Sequence, residues 1–355
     1  MHHTRFFLGL ALSAASGVLV APPCHAQDAS AAVSAATSKS GDEQFAAIDR
    51  LGRLRESSTE AVPALQKLLQ SSEARVQWRS ARALGHHGKA AADAAPRLRE
   101  LLKEGKPAVR YHAAVALGKI GSDDDATIDA LVAAATGADA TVARAAIAAL
   151  RNIGPPPARV VDAFQQALAS DHDSVVVYAL EALVERGADA TPVLREALKR
   201  GETAYVACAA IEQIGEPVAS LAPEVAALLS DTKHSHLQVQ ALLALASVGP
   251  SAKDTSDKIL PVLKQANDPS VAAAAAYALG SVGATNADDA LKAAADRDDP
   301  LLSMVAAWAL ATVHPDDADL QAMARQRLQS GAQSDDPTIR AAAEKGLTLL
   351  GADKG

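Results

Sequence analysis

The residue types able to do chemistry are few in this chain, and their spacing argues against most of the chemistry they could do. His234 and His236 flank Ser235 three residues after Asp231, which puts two imidazoles and a carboxylate in one stretch. A closed zinc site needs four ligands in fixed geometry, and no other His or Cys group repeats the theme, so an exposed polar loop is the expectation. Asp123-Asp124-Asp125 opens like a calcium loop but lacks the following Gly and the terminal Glu, and reads as a helix start with favourable negative charge. Adjacent acids such as Asp288-Asp289 and Asp316-Asp317 point apart on a helix and suit capping better than acid/base work. Cys208 has no basic neighbour in sequence and reads as a small hydrophobe. With no Gly-rich phosphate loop, nucleophile elbow or Cys pair, the expectation is no catalytic residue, no cofactor and no metal.

What positions these residues is a repeat. The thirteen residues from Val109, VRYHAAVALGKIG, recur in frames starting at Val76, Val142, Val175, Thr203, Leu237, Val271, Leu302 and Ile339. Their fifth position is Ala in every frame except Ser80, their ninth is Leu or Ile, and their last is Gly except at His314. Successive copies end 33, 33, 33, 28, 34, 34, 31 and 37 residues apart, and a degraded copy from Glu43 to Arg55 lies another 33 residues upstream. Self-similarity at this period predicts an array of stacked units, each touching only its neighbours. A second apolar helical pattern precedes each copy, as in Val62–Gln70 and Ala95–Glu104. Asp268-Pro269, Asp299-Pro300 and Asp336-Pro337 place an N-cap acid before a proline in the first helical turn. The closing Gly is where a helix turns back with a left-handed residue. Each unit is therefore expected to be a helical hairpin. A composition of 49% hydrophobic but only 3% aromatic residues fits closely packed helices built from Ala, Leu and Val.

The Asp-Pro turn, Val-Arg opening, Ala-rich middle and Leu-Gly-x-Ile-Gly close resemble a HEAT repeat, particularly the short bacterial kind also found in phycobilin lyase subunits. The Arg of the opening survives only as Arg110 and Arg340, and the middle Leu-Gly only at Gly52, Gly85, Gly118 and Gly280. The resemblance implies an all-α fold, an α-solenoid of about nine to ten hairpins spanning residues 42–355. It also implies that the second helix of each hairpin lines the inner, concave side, and that the array binds rather than catalyses. It leaves open an alternative, a lyase-like or cofactor-cradling accessory subunit of an enzyme.

At about 100° per residue, positions 1, 5, 8, 9 and 12 of the thirteen share one arc and form the packed face. Positions 3, 7 and 10 lie opposite and are expected to face the groove. All six Trp and Tyr residues fall in these second helices: Trp78, Tyr111 and Tyr205 at position 3, Tyr178 at position 4, and Tyr277 and Trp308 at position 7. Phe45, Trp78 and Tyr111 occupy one position in consecutive copies and are expected to stack as a ladder. Such rings either form a binding surface or stiffen the array by covering small neighbours. Charge is uneven too. Residues 27–154 carry 17 Lys plus Arg against 15 acids, a net of +2, and residues 155–355 carry 16 against 27, a net of −11. Arg53, Arg79, Arg82, Arg144 and Arg151 lie on or beside the early inner face, with Glu181, Glu185 and Glu212 further on. A basic, aromatic beginning and an acidic end would orient a partner of mixed charge.

The first 26 residues read as a signal peptide: a short positive start, an apolar run from Phe6 to Ala21, and Cys24-His25-Ala26 with small residues where a peptidase cuts, predicting cleavage after Ala26. Residues 27–41, rich in Ala, Ser and Thr, are expected to be a flexible linker. The chain is thus expected to be exported, periplasmic or secreted, monomeric, and without stable membrane insertion after cleavage. A net charge of −8 argues against nucleic acid. The expected partner is another protein or an extended peptide, met by Phe45, Trp78, Arg79, Arg82, Tyr111, Arg144, Arg151, Tyr205, Tyr277 and Trp308.

Overall fold

A computed structural model of the chain describes residues 24–154 and 157–352. The expected leader falls almost wholly outside the described residues. Within them no strand occurs, and twenty α-helices pair into ten hairpins. In chain order these are α1 (Cys24–Ser38) with α2 (Gly41–Leu51), α3 (Ser58–Leu68) with α4 (Ala74–His87), α5 (Ala95–Glu104) with α6 (Pro107–Ile120), α7 (Asp125–Ala135) with α8 (Ala140–Ile153), and α9 (Pro157–Leu168) with α10 (Asp173–Arg186). They continue as α11 (Thr191–Leu198) with α12 (Gly201–Ile214), α13 (Ala222–Ala227) with α14 (Ser235–Val248), α15 (Ser256–Gln265) with α16 (Pro269–Ser281), α17 (Asp288–Ala295) with α18 (Pro300–Val313), and α19 (Ala318–Gly331) with α20 (Pro337–Ala352).

The punctuation follows the sequence closely. The Asp268, Asp299 and Asp336 carboxylates accept from the first free main-chain amides, from Ser270 N at 2.9 Å, Leu302 N at 2.7 Å and Thr338 N at 2.7 Å. Asp124, in the run of three acids, caps α7 in the same way through Thr127 N at 3.0 Å. Burial of the Asp124 carboxyl opposes its ionisation, but hydrogen bonds from Ser122 and Thr127 and the nearby Arg99 outweigh this and hold its pKa below the usual carboxylate value. Gly121 and Gly154 end α6 and α8 in the left-handed conformation, with φ of 71° and 67°.

In α6 the predicted stripe is buried as expected: Val109, Ala113, Ala116 and Leu117 are fully covered and Ile120 nearly so. Burial extends further than one stripe, because each second helix packs on its own first helix and on the second helices before and after it. Position 6 is therefore also covered, by Ala114, Ile147, Cys208 and Leu242. Where position 10 is Gly it is an inter-repeat contact and not a groove position: a side-chain carbon added at Gly118 would sit 2.6 Å from Ala149 Cα. Neighbouring second helices pack closely along most of the array while neighbouring first helices touch more sparsely. The stack therefore bends with its second helices on the inside.

Position 2 has a role the repeat pattern alone did not reveal. Arg110 Nε donates to Leu102 O at 3.0 Å, Gln238 Nε2 to Leu229 O at 2.8 Å, Ser303 Oγ to Ala295 O at 2.7 Å and Arg340 Nη1 to Ser334 O at 2.7 Å. Each of these four side chains satisfies a carbonyl at or just beyond the end of the preceding helix, whereas four other copies carry Ala143, Val176, Ala204 and Ala272 at this position.

The flexible linker expected at residues 27–41 is replaced by structure. Residues 27–38 belong to α1, which packs against α2 and α3 with Ala29, Ala32 and Ala36 buried. Its apolar face is mostly Ala, with Val33 the one larger residue packed on the core, so no Leu or Val period marks it. Among the described residues no helix is long and apolar enough to cross a membrane.

Candidate binding surface on the second helices

Phe45, Trp78 and Tyr111 do not form the ring-on-ring ladder expected of them: guanidinium and imidazole groups bridge from one ring to the next. Arg79 Cζ lies 5.0 Å from the Phe45 ring centre and 4.5 Å from that of Trp78, placing a cation against both. His112 stacks on Trp78 at 4.9 Å and 19° between planes, and Tyr111 meets His112 edge-on at 5.0 Å. Arg82 lies 5.3 Å from the Trp78 ring and Arg75 5.5 Å from Phe45. The cluster thus spans α2, α4 and α6 as Phe45, Arg79, Trp78, His112 and Tyr111.

One carboxylate organises it. Asp49 accepts from Arg79 Nη1 at 2.5 Å and from Arg82 Nη2 at 2.7 Å, so two guanidinium groups share a single acid. Asp49 stands 30 and 33 residues before its partners, about one repeat, so the register itself aligns them. With Arg75 the cluster keeps an excess of positive charge. His112 adds none at neutral pH: burial, with help from Arg82 and Lys119, lowers its pKa to about 4, and the ring stacks as an uncharged plate. Asp49, Arg75 and His112 were absent from the sequence-based set. Only their spacing to the next copy could have pointed to them.

Of the ten predicted residues, Phe45, Trp78, Arg79, Arg82 and Tyr111 come together in this cluster. Trp78 and Tyr111 are half-buried, but Phe45 is only 5% exposed. Phe45 therefore does not face open groove as expected, because the side chains of Arg75 and Arg79 lie over it. Trp308 is likewise 5% exposed, stacked on Tyr277 at 5.0 Å and pressed against Gly280. Tyr277 and Trp308 form a second cluster on α16 and α18. They line a cleft of about 330 Å³ with Val239, Val305, Leu349 and Lys345, among others. Arg144, Arg151 and Tyr205 join neither cluster. Arg144 sits 5.8 Å from the Tyr178 ring, and Tyr205 is 44% exposed with His236 5.8 Å away.

The charge gradient is partly stitched together inside the array. Arg151 reaches Glu181 at 3.7 Å and Glu185 at 3.2 Å across the boundary between α8 and α10, and Gln240 donates to Glu212 at 2.6 Å. The acids of the middle repeats are thus not free to meet a basic partner in full. Among the described residues no group of three His, Cys, Asp or Glu side chains is arranged to hold a metal ion. His234 Nδ1 donates to the Asp231 carboxylate at 2.8 Å within its exposed turn. Cys208 is buried, and burial pushes its thiol up to about 12.

A family model for HEAT repeats matches residues 29–106, 89–150, 128–215 and 256–348. No curated protein matches the sequence. Similar solved structures include Kap95p bound to RanGDP, at a TM-score of 0.59 and 14% identity over 90% of this chain and 50% of that one. They also include the Kap95:Nup1 complex, at 0.56 and 13% over 91% and 51%, and Kap121p bound to Ste12p, at 0.51 and 13% over 92% and 45%. This chain thus spans about half the length of each of these three, and identities this low speak to the fold alone.

Proposed function

This chain belongs to the HEAT-repeat family, and from that premise we propose that it is a non-enzymatic protein-binding scaffold whose partner lies along the inner layer of second helices. The observation that carries the reading is the Phe45–Arg79–Trp78–His112–Tyr111 stack. Trp78 and Tyr111, on successive repeats, are half-buried rings with a surplus of cationic charge beside them on one side of the array, and Phe45 lies sealed beneath the guanidinium groups. Binding surfaces favour such groups because they supply large contact area at little entropic cost. The surplus charge selects a protein or extended peptide with acidic residues near its own apolar side chains. The solved relatives that bind RanGDP, Nup1 or Ste12p support the fold's suitability for this role.

The test compares wild type with a Trp78→Ala/Tyr111→Ala double variant. Partners captured by crosslinking in cells are identified, and their affinity is remeasured with purified proteins. The proposal expects at least a tenfold loss with unchanged helicity; equal affinity would refute it. The cofactor-cradling alternative expects visible absorbance or metal in the protein as purified, whereas the scaffold shows only its aromatic band. Export belongs to the same proposal: the mature protein is expected in the envelope or medium, beginning at Gln27, and an intact Met1 on cytoplasmic protein would overturn it. A monomer is expected by light scattering.

A further inference from the structure

The cleft at the other end of the array differs in chemistry from the Arg-rich stack. It runs across four second helices, α14, α16, α18 and α20, with Val239, Ala273, Tyr277, Val305, Trp308 and Leu349 among its lining. Lys345 is its one charged lining side chain. Four helices at spacings of about 8–10 Å make a furrow roughly 25–30 Å long. A volume of about 330 Å³ spread over that length is shallow. It takes side chains inserted from outside and does not enclose a compact ligand. Leu349 stands at the surface, 37% exposed, although it is a large apolar residue.

One polar group says more about the occupant. Lys345 Nζ sits 5.0 Å from the Tyr277 ring centre and forms no ion pair with any described carboxylate. In an otherwise apolar cleft it calls for a carboxylate beside apolar side chains, which an amphipathic segment of a polypeptide supplies.

Resting on the reading that the second-helix layer binds protein, we propose that this cleft is a separate docking site for an amphipathic segment of a partner, with apolar side chains along one face and an acidic residue placed to meet Lys345. Length, shallowness and the lone cation favour an amphipathic helix lying in a groove, its apolar anchors at i, i+3, i+4 and i+7. The two ends of the array then read different features of one elongated partner or of two.

The probe is a fluorescein-labelled amphipathic peptide four turns long, with Leu at those anchor positions and Glu beside them. Companion peptides carry Lys for Glu or Ala for Leu. Anisotropy titration against wild type is expected to rank the Glu peptide at least tenfold tighter than the Ala peptide and clearly tighter than the Lys peptide. Lys345 is exposed, so Lys345→Glu leaves the fold intact; it is expected to weaken the Glu peptide about tenfold and to rescue the Lys peptide. Leu349→Ser, also at the surface, weakens both. In a Trp78→Phe background Trp308 is the sole tryptophan, and its emission is expected to change on saturation. Equal binding of all three peptides, no effect of Lys345→Glu, or unchanged Trp308 emission would each overturn the proposal. So would concentration-dependent self-association abolished by Leu349→Ser, which would make the occupant a second copy. A failure of the Trp78/Tyr111 experiment alone leaves these titrations untouched, and the two readings fall separately.

Discussion

The closeness of the second helices can be tested at a single carbon atom. An ideal Cβ at Gly118 lies 2.6 Å from Ala149 Cα and 2.7 Å from Ala149 Cβ, whereas non-bonded carbons settle at about 3.5–4.0 Å. Gly118→Ala therefore obliges α6 and α8 to part by roughly 1 Å where they cross. Overpacking of this kind costs about 1–3 kcal/mol, and the gain in helix propensity from Gly to Ala returns about 1 kcal/mol. The net expectation is a destabilisation of about 1 kcal/mol, rising towards 2 if the helices cannot slide. Gly85 supplies the control at the equivalent position. Its added Cβ is 3.1 Å from Ala116 Cα and 3.4 Å from Ala116 Cβ, so a few tenths of an ångström suffice. Propensity then offsets the crowding, and Gly85→Ala is expected to be neutral or slightly stabilising. Urea unfolding followed by far-UV circular dichroism ranks the variants. Because long arrays unfold in parts, amide exchange in α6 and α8 supplies the local reading. If Gly118→Ala proves as stable as Gly85→Ala, the second helices do not approach as described and the inward curvature argument fails with them.

Other consequences follow from single groups. His112 has its pKa lowered to about 4 from 6.5 by burial first, then by Arg82 and Lys119; the unfolded chain therefore binds a proton that the folded chain refuses between those values. Stability contributed by neutral His112 is present above pH ~6.5 and is lost as pH falls towards 4, and His112→Phe is expected to flatten that slope. Cys208, raised to about 12 by burial, is expected to resist alkylation at pH ~8 in the folded protein and to react once urea unfolds it; rapid native labelling would contradict its burial. Its linkage has the opposite sense: stability is intact below pH ~9, the ordinary thiol value, and declines as pH rises towards 12. Gln238→Leu removes the buried hydrogen bond to Leu229 O and is expected to cost about 1–3 kcal/mol, seen as faster amide exchange at the start of α14.

The units, their caps and their packed stripe were legible because each depends on one helix and its own turn. Asp268, Asp299 and Asp336 act on amides within three residues of themselves, and Val109, Ala113, Ala116, Leu117 and Ile120 share one face by periodicity alone. What was hidden depends on the neighbouring copy. Gly118 looked like a groove residue until Ala149 lay against it, and Asp49 owes its place in the cluster to Arg79 and Arg82, which reach it from the next repeat. Phe45 and Trp308 were expected to face the groove, but the long side chains that lie over Phe45, and the stacking that seals Trp308, belong to adjacent repeats. The first helix escaped notice for a simpler reason. Ala29, Ala32 and Ala36 fall at helical spacing, but Ala buries too little to stand out against an Ala-rich background.

The central claim, that a partner lies along the inner layer of second helices, is tested most directly by site-specific photocrosslinking in cells. A photoreactive side chain replaces Tyr111 on α6 in one strain and Glu100, exposed on the first helix α5, in another. The account predicts a discrete adduct with one polypeptide from position 111 and none of comparable yield from position 100. Equal adducts from both positions, or adducts from position 100 alone, would contradict it.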